Sequence, residues 1–324
     1  MSFMKAEIKL KQAEVVPIIP QSEPLKGKKW SYSFVYFLED LRNIYRLYDE
    51  YDIDSIPCLL QICMEKGVKS WSGKEWNQRN LLEQVNALKN FKLLETDGNK
   101  VIKPGLFSGT TPESSLSEQE IEVFKNIYFR YFRFVEFHRL MAQNAMDITA
   151  ESMQRYSFPI MYYMQDSRFT NRFILNLEPG LDIEGIPDEH ADMMRFWDVY
   201  VKWGISLDLL RKYPLKPFGI TTSPNVRGLG IAYFYNKMPE SFSLFDYIKE
   251  EMEGSYLYIP DIVYSVMTNK RYSVEDIVAR IADESVTKSD TYRAQSTSAI
   301  FVNEKETFLF PKIGNTYITH LLKL

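Results

Sequence analysis

WSGKEWNQRNLLEQVNALKNFKLLETDGNKVIKPGLF, residues 71–107, decides how this chain is read. Leu81, Val85 and Leu88, with Leu82 beside them, recur at spacings of three and four, the period of a helix with one buried face. The stripe gives way to Leu93-Leu94, an Asp97-Gly98 turn and Val101-Ile102, which together read as a hairpin. Upstream, Phe34, Phe37, Leu38, Leu41, Ile44 and Tyr45 form a first helical stripe. The segment from Asp52 to Ser55 offers capping groups, Pro57 sits in the next turn, and Leu59, Leu60 and Cys63 run on to Gly67 as a second helix. The third helix is expected to begin around Gly73 or Lys74. Residues 30–107 are therefore expected to form three helices and a hairpin.

Working outward, residues 1–29 carry Pro17, Pro20, Pro24 and the basic LKGKK, and read as an N-terminal arm, either disordered or laid over another surface. Alternation in AEIKLK suits a short strand. Residues 108–117, SGTTPESSLS, have linker composition. Ser117 followed by Glu120 is a capping box for a helix expected to run from 118 to about 143. That helix holds the aromatic run FKNIYFRYFRFVEFHR. Helices are expected at about 189–203 and 206–213, and KPFGITTSPNVRGLGIAYFY reads as two short strands separated by turn residues, a candidate for another wing. Residues 118–235 thus form an aromatic-rich central helical domain.

The last unit, 256–324, starts with Ile259, Ile262, Val263 and Val266 on one helical face. Ser273, with Asp276 at the reciprocal position, caps a second helix. The polar TKSDTYRAQSTSA is expected as a short third helix. Strands with a Gly314-Asn315 turn close the chain.

With 324 residues and 45 % apolar content, the chain suits two or three domains with sizeable cores. The net charge of -4 argues against a whole surface built for nucleic acid, but not against a local basic face. Cys58 and Cys63, the only cysteines, lie in an apolar run and give no disulfide framework, which fits a reducing compartment. The start MSFMKAEIKLK has charges where a signal peptide needs an apolar core, and no apolar run approaches the ~20 residues of a membrane span. A cytoplasmic protein without a membrane partner is expected.

Residues 30–107 and 256–324 resemble winged helix-turn-helix domains. The expected fold class is α+β, helix-rich, with two or three such units. The W-x-x-x-x-W-x-Q and LL-x-Q-x-x-x-L-x-x-F-x-LL patterns from Trp71 to Leu94 are similar to DNA-reading domains of restriction and phage-defence systems. The resemblance implies that the third helix enters the major groove and that the wing touches the backbone or minor groove.

The residues open to that role follow from the helical wheel. Opposite Leu81, Val85 and Leu88 stand Arg79, Asn80, Glu83, Asn86 and Asn90, flanked by Lys74 and Lys89. Asn can read adenine, Arg guanine, and Lys holds phosphate. An Arg79–Glu83 surface pair on a solvated or protein-docking face explains the same residues. Lys92, Lys100 and Lys103 surround the wing tip at Gly98-Asn99, a place for phosphate contact or for ordinary solvated lysines. In the last unit the candidates are Lys288, Ser289, Tyr292, Arg293, Gln295 and Ser296, with Lys312 on the wing, against a plain surface loop. In the aromatic run, Phe124, Ile127, Tyr128, Tyr131, Phe134 and Val135 read as a core stripe that Phe129, Phe132 and Phe137 widen. Arg130, Arg133 and Arg139 are the alternative nucleic-acid contacts there.

Enzymatic readings fare worse. GVKSWSGKE has one residue too many between its glycines for a phosphate loop, and Glu75 stands where Ser or Thr would bind magnesium. The Glu7-Ile8-Lys9 triplet lacks the upstream Asp of a nuclease. Glu178, Asp182, Glu184, Asp188, Glu189, His190 and Asp192 match no EF-hand and read as a solvated acidic loop. His138, His190 and His320 are not paired at ligand spacing. No cofactor or metal is expected. The expected function is non-enzymatic binding of double-stranded DNA, as a regulator, initiator or recognition subunit of a defence or mobile-element system. The alternative is a winged-helix scaffold that docks protein subunits of a larger complex, and a divergent nuclease stands third.

Overall fold

The computed structural model describes residues 35–109, 111–131, 134, 161–164, 172–175, 191–219, 229–296 and 304–324. The N-terminal arm, the residues 132–133 and 135–139 of the aromatic run and the acidic residues 178–190 lie outside the described residues. The architecture is α+β.

Helices α1 (Leu38–Glu50), α2 (Ile56–Glu65) and α3 (Gln78–Asn90) appear in the expected order. Ser55 caps α2 by accepting from the Cys58 amide at 3.4 Å, and Pro57 occupies the first turn, where no amide hydrogen is needed. Helix α3 starts later than expected, because Asn77 rather than residue 73 or 74 is its cap, accepting from the Asn80 amide at 2.9 Å. Residues 66–77 instead form a turn-rich loop. The hairpin is minimal: Leu94 bridges Val101, the Glu95 amide donates to the Lys100 carbonyl at 2.9 Å, and the Ile102 amide to the Leu93 carbonyl at 3.0 Å.

Helix α4 (Glu118–Arg130) carries the expected capping box at Ser117 and Glu120, but ends at Arg130, with Tyr131 extended. Helix α5 (Ala191–Ser206) follows. The helix expected at 206–213 is instead strand β3 (Leu210–Pro214), because Asp208 takes a left-handed φ of 57° that closes α5. Leu210 and Tyr213 are then buried, while Arg211 and Lys212 are half-buried. Strands β1 (Met161–Met164), β2 (Arg172–Leu175) and β4 (Leu229–Phe234) join β3 in an antiparallel sheet of order β2-β1-β4-β3. Of the two strands and wing expected over 216–235, residues 220–228 lie outside the described residues and the second run is β4, but the rest departs from a wing. Residues 216–218 form a 3-10 turn, and β4 is an interior strand between β1 and β3.

This sheet is shared by two cores. Ala232 and Phe234 belong to a cluster with α1–α5, whereas Ile231 and Tyr233 belong to the C-terminal cluster. The period of two in β4 sends alternate side chains to opposite faces and so supplies both. In the first core, Tyr128 stacks on Tyr200 at 4.9 Å, and Phe91, Tyr131, Phe134 and Trp203 make edge-on contacts. The described aromatic side chains of the run are thus core, while Lys125, Asn126 and Arg130 are half-buried. Gly204 lies where a Cβ would stand 2.7 Å from Leu210 Cγ and 2.9 Å from the Tyr128 hydroxyl, so this crossing of α5 and β3 requires glycine.

The C-terminal part runs α6 (Leu244–Glu251), β5 (Tyr256–Tyr258), α7 (Ile259–Lys270), α8 (Val274–Thr287), β6 (Tyr292–Gln295), β7 (Lys312–Ile313), β8 (Thr316–Tyr317) and β9 (His320–Lys323). Strands β5, β9 and β6 form one antiparallel sheet with β9 in the middle, and β7 and β8 make a hairpin across the expected Gly314-Asn315 turn. The third helix expected at 287–299 is corrected, over its described residues, to a turn and strand β6. Tyr292 is buried against Phe245 and Arg293 is exposed, the alternation of a strand, and β9 provides the backbone partners.

Candidate nucleic-acid interface

In the N-terminal unit the third helix is held from three sides. Leu81, Val85, Ala87 and Leu88 are buried in the first core. The preceding loop is folded by Gly73 and Lys74 amides donating to the Ser70 carbonyl and hydroxyl. It is anchored on α1 by the Trp71 amide, which donates to Asp40 Oδ1 at 2.7 Å. The hairpin after α3 is tied back by the Asn99 side chain to the Asp54 carbonyl, by the Tyr45 hydroxyl to the Lys103 carbonyl, and by the Gly105 amide to Asp49. Asn99 at the tip is therefore turned toward the chain's own backbone.

What remains outward on α3 is Gln78, Arg79 and Leu82, all exposed, with Glu83, Asn86, Lys89 and Asn90 half-buried. Leu82, expected beside the buried stripe, is 46 % exposed and lies in the middle of the outward face. Asn80 is on the flank, four residues before the buried Gln84. Lys74 precedes the helix and pairs with nothing among the described residues, while neighbouring Lys69 is bound to Glu75 at 2.9 Å. Lys100 and Lys103 are exposed on the hairpin. The face thus combines Arg and Lys with neutral amides and one apolar side chain.

Asp40, on α1, is a buried carboxyl that anchors the loop before α3. Its carboxyl is pushed up to about 6, chiefly by burial and further by the Glu39 charge, against the lowering pull of the Trp71 amide. The folded state therefore holds a proton that the unfolded chain releases near pH 4. Stability contributed by this group is fully present below about pH 4 and falls as pH rises to about 6. Asp40→Asn keeps an oxygen for the Trp71 amide without the charge. The variant is expected to be more stable than the parent at about pH 7.5, by at most about 3 kcal/mol, and to lose the fall between about pH 4 and 6. Denaturation midpoints at both ends of that window check this, and a variant less stable at both would overturn it.

The C-terminal unit is built differently from the sequence expectation. Its first helix, α6, lies before residue 256; the Ser243-x-x-Asp246 cap, with the Asp246 amide bonded to Ser243 Oγ at 3.3 Å, was the available signal. Only residues 271–273 separate α7 from α8. The start of α8 is packed on the central sheet. The Tyr213 hydroxyl from β3 donates to Glu275 at 2.6 Å and accepts from the Val274 amide at 3.1 Å, and the Tyr233 hydroxyl donates to the Tyr272 carbonyl. The outward face of α8 carries Glu275, Asp276, Ala279, Asp283 and Val286.

The candidates assigned to this unit are dispersed. Lys288 donates to Ser243 Oγ at 2.7 Å and pairs with Glu284 at 3.3 Å, so its charge is used internally. Ser289 is exposed in the turn before β6, Arg293 is exposed on β6, and Gln295 is half-buried with its carbonyl bonded to the Thr319 amide. Lys312 lies over the Tyr317 ring at 5.7 Å.

Among the described residues no group of three or more His, Cys, Asp or Glu is placed to hold a metal, and no helix is long and apolar enough to cross a membrane. No protein family, curated protein or solved structure matches the chain.

Proposed function

We propose that this chain is a non-enzymatic double-stranded DNA-binding protein and that residues 35–107 are its reading unit. The observation that carries this is the outward face of α3, where Arg79 is exposed and Asn86 and Lys89 are half-buried, followed directly by a hairpin with exposed Lys100 and Lys103. Three helices and a basic hairpin are the parts of a winged helix. Bidentate Arg and amide side chains suit base edges, Leu82 suits a thymine methyl, and lysines suit phosphates. The unit serves as the reader of a regulator, initiator or defence-system recognition subunit.

The C-terminal unit also has winged-helix order: helix, strand, two helices, strand, wing, strand, with the last strand central. Its role is docking, the second reading. A recognition helix reaches bases with its N-terminal residues, and in α8 those residues are acidic and bound to Tyr213 of the chain's own sheet. An acidic helix also repels phosphate.

Selection of bound sequences from a random duplex pool at two salt concentrations tests the reading. Salt-sensitive binding with an enriched motif is expected. Arg79→Ala is expected to cost about 1–3 kcal/mol and relax one base position, and Lys100→Ala to weaken all sequences alike. Charge removal at Arg293 or Lys312 is expected to leave affinity unchanged. Absence of binding at low salt would turn the function to protein docking.

A further inference from the structure

Two costs meet at Arg271, in the turn between α7 and α8. Its backbone is left-handed, at φ 60° and ψ 31°. That conformation favours glycine, because a Cβ crowds the following carbonyl oxygen. Its side chain is also interior, with the residue only 7 % exposed. Among the described residues its guanidinium donates to no acceptor and lies in no ion pair. Burial lowers its pKa to about 10, so it is still a cation at neutral pH. Arg42, the other buried arginine among the described residues, instead donates to three carbonyls and to Glu120. The acids next in sequence do not serve Arg271. Glu275 accepts from the Tyr213 hydroxyl, and Asp276 lines a groove with Lys237, Met238, Ala279, Arg280 and Asp283.

The end of β4 clamps this turn. The Arg271 amide donates to the Met267 carbonyl at 3.0 Å, and the Arg271 carbonyl accepts from the Asn236 amide at 2.8 Å. The Asn236 side chain donates to the Lys270 carbonyl at 3.1 Å, and the Tyr233 hydroxyl to the Tyr272 carbonyl at 2.7 Å. The fold therefore holds a cation inside without a counter-charge, on backbone that is itself strained. Both costs are met when an anion sits on the guanidinium. We propose that Arg271 binds a phosphate group, as the free ion or as the end of a small ligand. A guanidinium with five free donors finds more partners on a tetrahedral oxyanion than on a carboxylate, which has two oxygens. The narrow opening left by 7 % exposure admits a compact group and excludes the backbone of a duplex, so this site is separate from the outward face of α3.

The test titrates the full chain with inorganic phosphate, glycerol phosphate and acetate at constant ionic strength, by calorimetry. Saturable binding of phosphate is expected. Arg271→Met keeps the apolar stem and removes the charge. It is expected to weaken phosphate at least tenfold, equivalent to about 1.4 kcal/mol. Arg271→Lys, which keeps the charge without the fork, is expected to lie between. In chloride alone, Arg271→Met is expected to melt no lower than the parent, since the charge that it removes has no counter-ion. Arg79→Ala is expected to bind phosphate as the parent does. Equal affinity for glycerol phosphate would assign the site to the phosphate end of a ligand, and binding of inorganic phosphate only would assign it to the free ion. Acetate binding as tightly as phosphate, no saturable binding, unchanged binding in Arg271→Met, or a lower melting point of that variant in chloride would overturn the proposal.

Discussion

Arg42→Ala is expected to destabilise the protein by about 3–5 kcal/mol, the range for removing one partner of a buried ion pair. Arg42 is fully buried on α1. Its guanidinium donates to the Pro112 and Ser114 carbonyls at 2.9 Å each, to the Ser115 carbonyl at 3.4 Å, and to Glu120 at 3.5 Å. Asn43 adds a bond to the Pro112 carbonyl at 3.0 Å. Glu120 in turn accepts from the Ser117 amide at 2.8 Å, so one buried cation fastens the 111–117 segment and the start of α4 to α1. Alanine leaves the Glu120 carboxylate buried without its cation. Lysine restores the charge but not the fork that reaches several acceptors, so Arg42→Lys is expected to lie between parent and alanine. Denaturant titrations of the full chain check this. A loss below about 1 kcal/mol would mean that water replaces the guanidinium.

Glu284→Ala has the next largest expected effect, about 2–4 kcal/mol, from loss of charge-assisted bonds to buried amides. The Glu284 carboxylate is buried and accepts from the Leu244 amide at 2.8 Å and the Phe245 amide at 2.9 Å, the first two of α6. It joins α6 to α8 and satisfies donors that no upstream turn can reach. Glu284→Gln keeps one acceptor oxygen and is expected to lose less. Amide hydrogen exchange separates this cause from general loosening: Leu244 and Phe245 are expected to exchange faster in the alanine variant, with α3 unchanged. Uniformly faster exchange would count against a local role.

Both residues also mark where sequence reading stops. The segment around 108–117 has linker composition, and nothing in its spacing shows that Arg42, about seventy residues earlier, holds its carbonyls. Glu284 reads as an ordinary helical surface acid until α6 is brought to it. The outward face of α3 was legible because three buried positions fix the rotation of a helix. Even there, Leu82 at its centre was not, since a pair of adjacent leucines does not say which one faces in. The polar run around 288–296 was misread because hydrophilic composition carries no period. Its strand character comes from β9, and Tyr292 alone points inward.

By itself the sequence determined the local features that depend on near neighbours. These are α1 to α3 with their order, the caps at Ser55, Ser117 and Ser273, the hairpin after Leu94 and the turn at Gly314-Asn315. Capping, periodicity and turn chemistry act over a few residues and are written in consecutive positions. The tertiary structure alone decided that one sheet feeds two cores, that α8 begins against Tyr213, and that Lys288 is consumed by Glu284. These depend on contacts between residues tens of positions apart, where burial and charge are set by what the fold brings near.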